Sequence, residues 1–180
     1  MLKAYIPVVM SDGTANDLNL VASNLHIIKE GGTITLGGFT LLSFRVKHDV
    51  PCFGYIIRHK ECGFLFFATD CAYITKRFRG LNNIMIEANY DEGIIHDNYS
   101  KGIIQKKHYD HTILGHMSLG TCMETLMDTD LSEVNNIVLI HLSDANSNEQ
   151  QFINAVSSAT MKTVVAARPG MVIDMNKTPY

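Results

Sequence analysis

His48 ends the apolar run FTLLSFRVK, Asp70 ends GFLFFAT and His141 ends NNIVLI, so three metal-competent side chains each close a stretch with the character of a strand. The carboxyl edge of an α/β sheet is where ligands tend to bind. Imidazole nitrogens and carboxylate oxygens suit ions such as zinc or manganese, and one carboxylate can bridge two ions. A bland reading stands beside this one. A histidine at a strand end is more often solvated or hydrogen-bonded than ligating, and a strand-terminal aspartate often only caps the next turn. Spacing leaves both readings open.

The elements that must position these residues can be read from pattern. Tyr5 to Met10 (YIPVVM) is a short β-branched run, and SDGTANDL after it combines a turn signal with Thr14-x-x-Asp17, a helix-cap pattern. Gly31-Gly32 and Gly37-Gly38 bracket TITL, and residues 39 to 46 alternate apolar and polar at period two, as antiparallel hairpins do. FGYIIRH and GFLFFATD follow, separated by the turn KECG; the second is apolar almost throughout, which predicts a strand buried on both faces. IMIEA reads as another buried strand. The polar stretch from about 91 to 107 has a helical flavour without a clean apolar stripe.

Thr121-x-x-Glu124 offers a capping box for a helix to about Met127, NNIVLIHLSD a buried strand, and Ser147-x-x-Gln150 the cap of a helix through Ser158. TVVAA and MVID are expected as two short closing strands around the turn Arg168-Pro169-Gly170. Hairpins first and β/α alternation later make a sheet-rich α/β domain with helices packed on the sheets. The pattern names no function.

Composition excludes several classes. The chain has 180 residues, 46% of them hydrophobic, which is enough for a core and in the usual range of a single domain spanning 1–180. Its 15 basic and 18 acidic residues give a net charge of −3, so no global field favours nucleic acid or an anionic membrane. No apolar stretch approaches a transmembrane span and the start lacks a signal-peptide core, so a soluble cytoplasmic protein without a membrane partner is expected. Cys52, Cys62, Cys71 and Cys122 show no C-x-x-C spacing and read as reduced thiols, with Cys71 of interest for following Asp70 directly.

Five motifs in order, VKHD at 46–49, FATD at 67–70, IEANYD at 86–91, GHMSL at 115–119 and HLSDANSN at 141–148, resemble the second half of metallo-β-lactamase-fold hydrolases. The branch they resemble contains exonuclease-like proteins and cyclic-phosphate phosphodiesterases. The 22-residue interval from His48 to Asp70 is close to that family's spacing. The resemblance implies part of a four-layer αββα sandwich and a metal-dependent hydrolase acting on DNA, RNA or a small cyclic phosphate. It also implies two divalent ions, zinc or manganese, with His48 and His141 as terminal ligands and Asp70 as the bridge. His116 matches a histidine placed near the scissile phosphate, where it could protonate the leaving oxygen or steady charge; the alternative is a helix-entry residue bonding to backbone. Ser143, Asn146 and Asn148 could support His141 or serve as turn polarity, while Glu87, Asn89 and Asp91 are expected to shape the cleft wall rather than bind metal. His26, His59, His96, His108 and His111 match no ligand position, and Lys106, Lys107, Arg77 and Arg79 read as a solvated face.

The family's H-x-H-x-D-H signature does not occur in these 180 residues. Each ion would then have one histidine plus a shared aspartate, against the three protein ligands that a catalytic zinc takes. Weak metal binding is expected, with hydrolysis when the first motif is supplied. The competing reading is an inactive homologue serving as a binding or interaction module. A domain lacking the first sheet should also leave apolar sheet surface uncovered, which suits a homodimer or a complementing amino-terminal polypeptide.

Overall fold

In a computed structural model describing residues 2–178, the period-two run forms β4 (Phe39–Val46), with β3 (Thr33–Leu36) turned back on it at Gly37, whose φ of 59° is accessible to glycine. β5 (Cys52–His59) and β6 (Gly63–Ala68) continue this antiparallel meander. β7 (Asn83–Glu87), β8 (Asn136–Ile140) and β9 (Thr163–Ala166) then join parallel to β6, giving one seven-stranded mixed sheet in sequence order from β3 to β9. Before it, β1 (Val8–Met10) pairs parallel with β2 (Leu25–Ile27) around helix α1 (Asp12–Asp17).

The polar stretch after β7 resolves into α2 (Glu92–Ser100) and α3 (Lys106–Gly115), followed by α4 (Leu119–Met127) and, after β8, α5 (Glu149–Thr160). The expected caps are displaced by a few residues. Ser11 rather than Thr14 caps α1, Ser118 rather than Thr121 caps α4, and Asn148 rather than Ser147 caps α5, because each of these side-chain oxygens accepts the amide three residues on. Asp91 caps α2 by accepting from the amides of Gly93 and Ile94.

The core lies on one face of the sheet. Phe44, Ile56, Phe66, Ile84, Ile137 and Val164 point to that face, where Cys122 and Leu126 of α4 and Phe152 and Val156 of α5 close over them. Gly54 is required here, since a Cβ would stand 2.4 Å from the Phe44 ring. The opposite face is covered unevenly: Val138 of β8 is fully buried on it, but the strands before β8 are less so. The cross-strand partners Leu41, Ile57 and Leu65, and Tyr55, Phe67 and Met85, are all half-buried. β6 is therefore buried on one face only, contrary to its apolar sequence, because helices cover just one side of it.

The last expected strand does not form. Residues 171–174 form no strand, and side chains bond the carbonyls at their end: Asn136 Nδ2 donates to Asp174 O at 3.1 Å and Asn83 Nδ2 to Met175 O at 2.9 Å. Amide side chains have replaced a ladder partner. The turn at 168–170 does form, with Gly170 at φ 78° and the Met171 amide bonded to Arg168 O. No helix among the described residues is long and apolar enough to cross a membrane.

Candidate metal centre

β6, β7 and β8 are parallel, so their carboxyl ends share one edge of the sheet. Asp70 lies two residues past β6, Glu87 is the last residue of β7, and His141 is the first after β8. β4 runs in the same direction, because it is antiparallel to β5 and β5 to β6, and it delivers His48 to the same edge. His116 arrives differently. It ends α3 in extended conformation, and residues 117–119 run alongside β7's continuation, with Asn89 N donating to Met117 O and Leu119 N to Tyr90 O, both at 2.8 Å.

Asp70, His116 and His141 come together: one ligating atom from each lies within 4.8 Å of the others. His48 stands outside that group. Its ring centroid is 6.2 Å from that of His116, its Nε2 is 3.3 Å from Asp49 Oδ1, and its Nδ1 is buried without a hydrogen-bond partner. His111, which matches no ligand position by resemblance, is exposed, yet its ring packs edge-on against His116 at 5.6 Å.

Glu87 organises the centre. Its side chain is wholly buried, with Oε1 accepting from His116 Nδ1 at 2.7 Å and from His141 Nδ1 at 3.1 Å, and Oε2 accepting from the Cys71 amide at 2.8 Å. The sequence reading placed Glu87 in the cleft wall and missed this role. A charged residue ending an otherwise apolar strand was the available signal, since buried carboxylates persist only when paired. The hydrogen bond from Glu87 raises the His116 pKa above its ordinary 6.5, against the opposing effect of burial and with help from the charges of Glu87, Asp70 and Asp49.

Other expected supports serve elsewhere. Asn89 Nδ2 donates to the His141 carbonyl at 2.6 Å, holding a residue whose φ is 60°. Ser143 accepts the Asn146 amide, and Asn146 accepts from Asn98 Nδ2. Cys71 contributes its backbone amide rather than its thiol, whose pKa burial and the nearby Glu87 push well up, leaving it unreactive.

Two imidazoles and a carboxylate this close, with a buried carboxylate behind the imidazoles, fit a divalent ion such as zinc or manganese. The fold has counterparts among solved structures. The metallo-beta-lactamase fold protein YhfI from Bacillus subtilis superposes with a TM-score of 0.64 at 14% identity, over 93% of this chain and 65% of that one. Igni18, a metallo hydrolase from the archaeon Ignicoccus hospitalis, gives 0.61 at 12% identity, over 92% and 66%. CmlA, a diiron β-hydroxylase from Streptomyces venezuelae, gives 0.55 at 11%, over 86% and 35%. The chain thus spans about two-thirds of the length of YhfI and Igni18. No curated protein sequence matches it significantly. A profile of the beta-lactamase superfamily domain matches residues 2–142, most of the chain. With a mixed sheet and five α-helices among the described residues, and with this superposition, the chain belongs to the beta-lactamase superfamily domain family and has the metallo-β-lactamase fold.

Proposed function

We propose that this protein is a metal-dependent hydrolase of phosphodiester bonds. The observation that carries the reading is the convergence of Asp70 with His116 and His141, both of which bond buried Glu87, at the carboxyl edge of the parallel strands. A bound zinc or manganese ion would supply Lewis-acid polarisation of a phosphoryl oxygen and activation of water. Glu87 fixes the orientation of both imidazoles, and Asn89 holds the backbone from which His141 projects. The hydrogen bond to Glu87 raises the pKa of His116, so its ring keeps a proton to higher pH than a free imidazole does.

Phosphodiesters are favoured over acyl or ester substrates by the IEANYD and GHMSL motifs, which resemble the nuclease and cyclic-phosphate branch; the fold alone would not choose. The test is hydrolysis of bis(p-nitrophenyl) phosphate with manganese or zinc. Turnover that chelation abolishes and Asp70→Ala removes is expected. Rates indifferent to Asp70 would sink the proposal.

A second reading, a non-catalytic interaction module, is supported by the half-buried apolar face of Leu41, Tyr55, Ile57, Leu65, Phe67 and Met85. It expects no hydrolysis under any metal, and self-association or capture of a complementing polypeptide that charged substitutions on this face abolish.

A further inference from the structure

A second hollow adjoins the candidate metal centre, and cations line it. Arg45, Lys47 and Lys76, with the exposed ring of Tyr73, surround about 220 Å³ against a single carboxylate, that of Glu30. Elsewhere Arg77, Lys101, Lys106 and Arg168 are each paired with a carboxylate. Among the described residues the Lys47 and Lys76 ammonium groups have no such partner. Arg45 meets Glu30 only at 3.9 Å, with both side chains about half exposed, where an ion pair holds little. Like charges gathered in one hollow repel one another, and an anion between them relieves that repulsion.

The backbone shapes the hollow. Ser43 bonds outward from β4 to Gly31 and Gly32, and Lys47 bonds outward to the segment after β6, its amide donating to Tyr73 O at 3.1 Å and its carbonyl accepting from Ala72 N at 2.8 Å. Strand alternation turns the amide and carbonyl of Arg45, midway between them, to the same outer edge, where no backbone group among the described residues pairs with them. Arg45 and Lys47, two residues apart, project to one side of this gap. Both walls lead to the candidate metal centre: Lys47 immediately precedes His48, and Tyr73 lies three residues past Asp70, at most about 11 Å of chain.

We propose that this hollow binds a phosphate of a single-stranded oligonucleotide next to the scissile one, held by Arg45, Lys47 and Lys76, with a neighbouring base stacked on Tyr73. The inference rests on the phosphodiesterase reading and narrows its substrate to a polymer, because a cyclic mononucleotide has no second phosphate to place here. The Arg45 guanidinium supplies paired donors to phosphate oxygens, and the lysines supply point charge. A tyrosine face accepts any base, so these contacts position the strand without reading its sequence. The net charge of −3 does not oppose this, since such contacts act within a Debye length of about 8–10 Å.

Fluorescence anisotropy of the 180-residue chain with labelled oligothymidylate and oligouridylate, in EDTA so that no ion bridges to the strand, tests this without turnover. The two oligonucleotides separate DNA from RNA as the source of the phosphate. Binding that weakens as salt rises is expected. Arg45→Gln, Lys47→Gln and Lys76→Gln each weaken it by about 5- to 10-fold and flatten the salt dependence, while Tyr73→Ala weakens it by about 5-fold or more with the salt slope kept. Lys106→Gln and Lys107→Gln leave it unchanged. Circular dichroism checks the fold of each variant, all of them at exposed positions. No binding of either oligonucleotide, binding that the folded triple Gln variant retains in full, or a cyclic mononucleotide that competes as tightly as the oligonucleotide would overturn the subsite. Hydrolysis of bis(p-nitrophenyl) phosphate by the wild type, with oligonucleotide binding indifferent to these residues, would leave the proposed function standing and remove this inference. Oligonucleotide binding lost in the variants, with no hydrolysis under any metal, would do the reverse.

Discussion

The two ends of the parallel strands are both polar, and they are built in opposite ways. At the carboxyl end stand Asp70, His116 and His141, titratable groups with ligating atoms drawn together and strained backbone beneath two of them. At the amino end stand Asn82, Asn83, Asn135 and Asn136, neutral amides bonded to one another, to the β5–β6 turn and the start of β6, and to the irregular chain at 174–177. Asn83 alone donates to Cys62 O and Met175 O and accepts from Asn136 Nδ2. Neutral amides can be buried cheaply when every donor and acceptor is matched, so that end closes. Imidazoles and carboxylates keep unused lone pairs, so the other end stays able to take a ligand.

Asn83→Leu is the strongest way to break this contrast. It removes two donors and an acceptor from a fully buried position, and should destabilise the fold by about 3 kcal/mol in urea unfolding while leaving zinc affinity alone. Metal affinity falling with stability would mean that the two ends are not independent. Deleting residues 171–180 frees the same asparagines to bond to water, so the loss should be smaller, about 1–2 kcal/mol. Hydrogen exchange should then rise at Asn83 and Asn136 and stay constant at Glu87 and Ile140.

At the site end the expected signature is pH dependence. A histidine whose pKa is raised on folding contributes stability that is complete below its unfolded value and is lost as pH rises through the folded one. For His116, raised above 6.5 chiefly by the Glu87 hydrogen bond, the metal-free chain should therefore lose melting temperature as pH climbs above 6.5 through the raised folded pKa. Glu87→Gln should flatten that slope, and an unchanged slope would assign it to another group. The smallest effect concerns thiols. Cys62, half-buried beside the asparagine end, and Cys52 should react with a disulfide reagent in the native state. Cys71 and Cys122, wholly buried, the latter with its pKa pushed up to about 12, should react only on unfolding.

Much of this architecture was legible in residue order. The alternation from Phe39 to Val46 marks β4 with its observed bounds, and the apolar runs ending at Asp70 and His141 are β6 and β8. Those signals are local: side-chain period sets which face is buried, and a polar residue closing an apolar run marks a strand end. The strand expected at MVID failed because partner choice is not local; Asn83 and Asn136, distant in sequence, claimed the carbonyls beside it.

The same division holds for the site. Residue types and strand ends by themselves put His48, Asp70 and His141 on one edge of a sheet, since parallel strands must share an edge and metal-competent side chains were there to be counted. Resemblance added His116. Only the tertiary structure decided which of these meet. His116 depends on the path of the chain between α3 and α4, and Glu87 on the depth to which β7 carries a carboxylate into the core. Convergence is a property of distances between segments, and no spacing along one segment contains it.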